Sequence, residues 1–450
     1  MVDATDTGGS EAPRPARDAE WALTLALDCQ QLARTPLRLA LAEVDEVAIG
    51  RGTERAVRRD GRRMRLDLSD RWTSQVHARL SRAGDAWTIE DAGSKNGTLV
   101  NGRAVDRAVL SDGDVIECGG TFFVLRCAAG PIADLDGPRG TMEALRTLSP
   151  ALEREMAVLP KIARARVPVL VRGASGTGKE VVATAIHALS GRTGPLVAVN
   201  CGAMPANLVE SELFGSRRGA FSGAEERPGL VRNADRGTLF LDEVAELPTA
   251  SQAALLRVLQ EGEVLPLGAG VAVTVDVRVV AATNQSVDEL IGAGRFRRDL
   301  YARLRGYEIH LPPLRDRLED LGLLIASLLA RLEPNGRARR LSRPAARVLF
   351  AHGWPFHVRE LYQVLGAAAA VAGGTEILLE DLPAAVREPR PDAGAGPPAA
   401  PMTEKQRLIA LLEKYAGNLS AVARALATSR TQVRRLLTRH AIADDQFRHR

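Results

Sequence analysis

VPVLVRGASGTGKEVVATAIH, residues 167–187, reads as an apolar strand, a glycine-rich turn and a helix, and that order decides the central fold. Gly173, Ser175, Gly176, Thr177, Gly178 and Lys179 have the composition and context of a phosphate-binding loop. Glycines let backbone N–H groups close around a phosphate at a helix N-terminus, and Lys179 adds a point charge. Glu180 follows the lysine where a magnesium-binding Ser or Thr is common in such loops, so the metal must lean on other ligands and on water.

Outward from this loop, PLVAVN (195–200), GTLFLDE (237–243) and VRVVAATN (277–284) are nearly continuous apolar runs, as expected of a parallel sheet buried on both faces. Asp242 and Glu243 end the second run, where an aspartate can hold Mg²⁺ and a glutamate can polarise an attacking water. Asn284 ends the third, where its amide could either sense a γ-phosphate or orient that water. These residues predict a nucleoside-triphosphate site with Mg²⁺ as cofactor.

The chain has 450 residues, which exceeds what one core usually supports and implies about two to four domains. No apolar run approaches the length of a membrane helix, and the start, MVDATDTGGSEAPRPARDAE, has neither an apolar h-region nor a basic n-region. The expectation is a cytoplasmic protein with no membrane partner. Cys29, Cys118, Cys127 and Cys201 form no C-x-x-C pair, so buried thiols are expected rather than a zinc ribbon. The formal charge of +5 is compatible with a polyanionic partner without requiring one.

The expected organisation is a disordered tail (1–20), an all-β sandwich (21–128), a joint (129–141), an α/β core (142–310), a helical lid (311–384), a Pro/Gly/Ala linker (385–402) and an Arg-rich helical region (403–445).

Five stretches carry a family resemblance: GASGTGKE (173–180), ELFGSRRGAFSGA (212–224), FRRDLYARL (296–304), LPPLRDRLEDL (311–321) and GWPFHVREL (353–361). They resemble the sigma-54-dependent activators, ring-forming AAA+ proteins. The resemblance implies ATP hydrolysis coupled to remodelling of sigma-54 RNA polymerase. It assigns the sigma-54 contact to Gly219, Ala220, Phe221, Ser222, Gly223 and Ala224, with Ser222 where the family has threonine. It makes Arg297 and Arg303 trans-acting arginine fingers, which require a homo-oligomer, dimers assembling to a ring with a hexamer expected. Arg359 would read nucleotide from the lid. Phe356 and His357 stand where the family has Gly-Asn, and the histidine is expected to be structural.

In the sandwich, IGRG (49–52), SQVH (74–77) and SKNGTLVNG (94–102) resemble a forkhead-associated (FHA) domain, which implies binding of a phosphothreonine protein. Arg51 can fork onto phosphate, Ser74, Lys95 and Asn96 can donate hydrogen bonds, and Asn101 could hold either the peptide backbone or the loop. A sandwich that only packs or dimerises is the alternative. The last region resembles a Fis-type helix-turn-helix, which implies double-stranded DNA upstream of promoters as a partner, with Arg430, Thr431, Gln432, Arg434 and Arg435 facing the groove. Two other readings keep the ring: a non-catalytic scaffold for a DNA-binding or adaptor protein, and a remodeller of some other protein.

Overall fold

The computed structural model describes residues 19–33, 37–137, 142, 145–220, 226–333 and 338–388. The expected helix-turn-helix, with Arg430, Thr431, Gln432, Arg434 and Arg435, lies outside the described residues, as do Phe221, Ser222, Gly223 and Ala224.

Five parallel strands form the central sheet in the order Leu196–Asn200, Thr238–Asp242, Arg278–Thr283, Val169–Arg172, Tyr307–His310. Alternation splits each strand between two cores: Leu239, Leu241, Val279 and Ala281 face one, whereas Phe240, Val280, Ala282, Val169 and Val171 face the other. Burial on both sides is why these runs are apolar at nearly every position. The run expected over 277–284 forms the strand Arg278–Thr283, and Val273–Thr274 before it pairs with Glu263–Val264 outside the sheet.

The amino-terminal unit is an antiparallel-rich sandwich of a seven-stranded and a six-stranded sheet around Trp21, Leu23, Ile49, Leu66, Leu80, Trp87, Ile116 and Phe123. Its first strand, Ala19–Asp28, starts two residues inside the expected tail. The expected joint is also partly structured, since Leu135–Asp136 pairs with Leu37–Ala40 as an edge strand. Cys29, Cys118 and Cys201 are buried, but Cys127 is half-exposed because it lies near the end of its strand.

The lid packs the helices Leu321–Leu332, Arg343–Ala351 and His357–Val371. Ser342 opens the second of these by accepting a hydrogen bond from the Ala345 amide. The helical region continues through Ala384–Arg387, three residues beyond its expected end.

The sandwich and the lid share one core. Along Thr121–Ala129, Phe123 and Leu125 point into the sandwich, while Phe122 and Val124 join Leu314, Leu321, Ile325, Leu349 and Phe350 of the lid. The rings of Phe122 and Phe350 stack 4.9 Å apart and 4° from parallel. At Gly322 a Cβ would meet the Ala26 carbonyl oxygen at 1.9 Å, so the backbones approach as closely as glycine permits. Glu117, buried, accepts from Arg343 at 3.1 Å and Arg347 at 2.8 Å of the lid, and the Leu341 amide donates to the Cys29 carbonyl at 3.0 Å.

Candidate functional site

The C-terminal ends of the parallel strands converge on one cleft, where open α/β sheets bind ligands. Strand Val169–Arg172 delivers the glycine-rich loop to helix Lys179–Ser190. Gly176 (φ 86°) and Gly178 (φ 110°) take left-handed conformations that bend the loop around its own amides. Thr177 Oγ1 donates to the Ala174 carbonyl at 2.8 Å and closes the turn.

Lys179 is 5% exposed, and its ammonium donates to the carbonyls of Gly173 at 3.0 Å and Ala174 at 3.3 Å. It also lies 3.6 Å from Glu243 Oε1. Glu180, next along the helix, is exposed and makes no contact in this cluster.

Asp242 ends its strand in register with Asn200, and its Oδ1 accepts from the Glu243 amide at 3.1 Å. Glu243 is a non-glycine residue at φ 53°, an uncommon conformation that costs about 1–3 kcal/mol and is characteristic of sites under functional constraint. The twist aims its carboxylate across the sheet, where Oε2 accepts from the Asn284 amide at 3.3 Å. Asn284 thus holds Glu243 through its backbone. Cys201, on the neighbouring strand end, was not singled out from the sequence; burial first, and then Asp242 and Glu243, push its thiol up to about 12, so it stays protonated beside the carboxylates.

The lid closes on the loop. Val358 donates its amide to the Gly176 carbonyl at 3.0 Å, and Arg359 Nη1 donates to Ser175 Oγ at 3.0 Å. Phe356 is 65% exposed, and its carbonyl would lie 2.4 Å from a Cβ at Gly176. His357 is buried at φ 54°, and its Nδ1 accepts from the Leu314 amide at 3.4 Å, which leaves the proton on Nε2. Burial, then Arg315 and Arg317, lower its pKa. Arg317, missed in the sequence reading because arginine is abundant, reaches the loop from the lid entry and donates to the Thr177 carbonyl at 2.8 Å.

Arg297 and Arg303 stand apart from this cluster. Arg297 forks onto Asp299 at 3.0 and 2.6 Å, and Arg303 donates twice to the Leu259 carbonyl at 3.1 and 3.0 Å. Both are exposed. The segment expected to touch sigma-54 is flanked in sequence by Ser216 and Arg227, which exchange two backbone hydrogen bonds. Gly219 has φ 86°, and Ala220 donates to the Arg217 carbonyl at 3.1 Å.

At the far end of the sandwich, Arg51 is exposed beside Ser74, to whose carbonyl its amide donates at 2.9 Å. Ser74 Oγ accepts from the Lys95 amide at 3.0 Å, and Asn96 donates its side-chain amide to the Trp72 carbonyl at 2.7 Å. These residues meet on adjacent loops. His77 Nδ1 accepts from the Ser74 amide at 3.1 Å, so Nε2 carries the proton and donates to the Gly97 carbonyl at 3.2 Å. Asn101 is a loop staple: it donates to Asp114 at 2.8 Å and accepts from the Val115 amide at 2.9 Å.

The parallel sheet, phosphate loop, paired carboxylates and closing helical lid define an AAA+ nucleotide-binding unit with a second domain built onto it. Residues 145–310 match the sigma-54 interaction domain family, 47–119 the FHA domain and 315–397 the AAA+ ATPase lid domain. The chain is 41% identical over 334 residues to the acetoin catabolism regulatory protein of Cupriavidus necator, spanning 71% of this chain and 50% of that one. It is 40% identical to the regulatory protein AtoC of Escherichia coli (63% of this chain, 65% of AtoC) and 41% identical to the transcriptional regulatory protein ZraR of Escherichia coli (65% of this chain, 67% of ZraR). NtrX from Brucella abortus, solved with ADP, superposes with a TM-score of 0.50 at 29% identity over 66% of this chain and 69% of that one. The chain thus spans from half to two thirds of the length of these curated relatives. It belongs to the family of sigma-54-dependent transcriptional regulators.

Proposed function

We propose that this protein is a transcription activator that hydrolyses ATP in an oligomeric ring and uses the cycle to remodel sigma-54 RNA polymerase at promoters in the cytoplasm. The convergence of Lys179, Asp242 and Glu243 at one sheet edge, with Arg359 on the lid above them, carries the reading.

Loop amides and Lys179 bind the phosphates, and Glu243, held by the Asn284 amide, orients and deprotonates a water. The donor set suits Mg²⁺, which would be held by Asp242, phosphate oxygens and water, and which would neutralise charge on the phosphates. Such a site needs few protein ligands, because phosphate oxygens and water fill the remaining positions. Arg297 and Arg303, exposed and away from their own loop, serve a neighbouring subunit, which requires a ring, a hexamer in our reading. The segment from Gly219 to Ala224, with Phe221 and Ser222 at its tip, contacts sigma-54.

Arg51, Ser74, Lys95 and Asn96 bind a phosphothreonine protein, and residues 403–445 bind DNA upstream of the promoter. Open-complex formation on a sigma-54 promoter tests the whole reading. An ATP-dependent rise that disappears in Phe221→Ala supports it, and ATP turnover without any such rise would redirect the proposal to another remodelled partner.

A further inference from the structure

We propose that Arg317 is a positioning residue for the nucleotide loop, and that Arg126 of the FHA sandwich sets its place. The inference rests on reading that loop as an ATP site. Four charges meet out of water where the sandwich, the lid entry and the loop join: Arg126, Arg317, Glu319 and Asp320, with side-chain exposures of 13, 8, 1 and 2%. Arg126 Nε donates to Glu319 Oε2 at 2.7 Å, and its Nη2 donates to the Asp316 carbonyl. Asp320 accepts from Thr147 Oγ1 at 2.7 Å and the Leu148 amide at 2.6 Å, and sits 3.9 Å from Arg317 Nη1.

Two positive and two negative charges balance within the buried group, with the exposed Asp112 outside it at 3.7 Å from Arg126, but one of the buried positive charges belongs to the other domain. Burial pushes Glu319 and Asp320 above the usual carboxylate range, against the opposing pull of Arg126 on the first and Arg317 on the second. With Arg126 removed, three charges from the lid entry are left with a net negative excess in a buried place, and Arg317 is the cation among the three that can redress it. Moving toward Glu319 takes it from the loop.

That movement matters because of what Arg317 holds. Its short hydrogen bond is to the Thr177 carbonyl at 2.8 Å, while its contact with Asp320 is long and its buried Nε has no partner among the described residues. In a trans peptide the carbonyl and the following N–H point in opposite directions. Fixing the Thr177 carbonyl toward the lid therefore turns the Gly178 N–H to the other side, into the concave face of the loop where a phosphate is cradled. The sandwich is thereby a standing part of the nucleotide site's support.

The test measures binding of a fluorescent ATP analogue with magnesium, and KM against kcat, on the full chain. Arg126→Gln is expected to weaken binding about tenfold, in the range typical of coupling between sites, by raising KM with kcat little changed. Arg126→Gln/Glu319→Gln restores neutrality and should return affinity to near wild type. Arg317→Met should weaken binding on its own and show no further loss when Arg126→Gln is added. Wild-type affinity in a folded Arg317→Met, or equal weakness in the single Arg126 variant and the neutral pair, overturns the proposal. A wild-type chain that does not bind the analogue overturns the ATP reading instead.

Discussion

Two phosphate sites are proposed for this chain, and the loops that would form them are built in opposite ways. The nucleotide loop hides its cation: Lys179 is 5% exposed, tied to two carbonyls and beside Glu243, with left-handed glycines turning the backbone. The sandwich loops leave Arg51 exposed and fix the scaffold around it through His77, through Asn101 and through Asp91, which accepts from Ser94 Oγ at 2.7 Å. An enclosed site can use backbone amides because the loop wraps the ligand. A surface site must send side chains out to a peptide, and can be rigid only below them.

The comparison breaks first at Lys179. Lys179→Ala is expected to abolish measurable ATP turnover, a loss of about a thousandfold or more for a buried phosphate-binding charge, with phosphothreonine-peptide binding unchanged; a fall in both would mean the loops are not separable. Glu243→Gln should retain binding of the fluorescent ATP analogue and lose about a hundredfold or more in kcat, the contribution of a positioned base. Retained turnover would remove Glu243 from that role. Arg51→Ala should weaken capture of a phosphothreonine peptide by about 10- to 100-fold, as for loss of a charge-assisted pair, and leave KM for ATP alone. Added salt should erode peptide binding more steeply than ATP binding, because an exposed charge is screened and a buried one much less so.

The smallest expected effect concerns what the loops share. Each rests on a buried histidine whose Nδ1 accepts from a backbone amide, His77 from Ser74 and His357 from Leu314. Burial lowers both pKa values. The folded chain keeps these rings neutral, whereas the unfolded chain protonates them below about pH 6.5. Their contribution to stability is therefore complete above that pH and lost as the pH falls toward the lowered folded values. Denaturant midpoints should decline from pH 7 to 5, and His77→Gln should flatten the slope.

Much of the nucleotide site was legible because its chemistry is local: strand, glycines, lysine and helix follow one another within 167–187, and the carboxylates end an apolar run. The sandwich loops were legible for the same reason. What escaped the reading was non-local. Arg317 lies within the quoted stretch LPPLRDRLEDL, but that stretch gives it no role by itself, because its partner lies 140 residues away. The shared core did leave a trace, in FFVLRC (122–127), whose first four residues lack the alternation of a half-solvated antiparallel strand. Such a run in a sandwich says that the outer face is covered too; here the lid covers it. The bulge between Leu25 and Leu27 added to the difficulty, since it shifts the phase of which residues face which core.

Gly322 gives this docking an evolutionary meaning. With the Ala26 carbonyl oxygen where a side chain would begin, even one methyl group would act as a wedge between sandwich and lid. A lineage could not exchange this amino-terminal module for another as a free cassette. The lid's glycine, its Phe350 and the arginines that meet Glu117 would have to change hands with it, so sandwich and lid fit only as a matched pair.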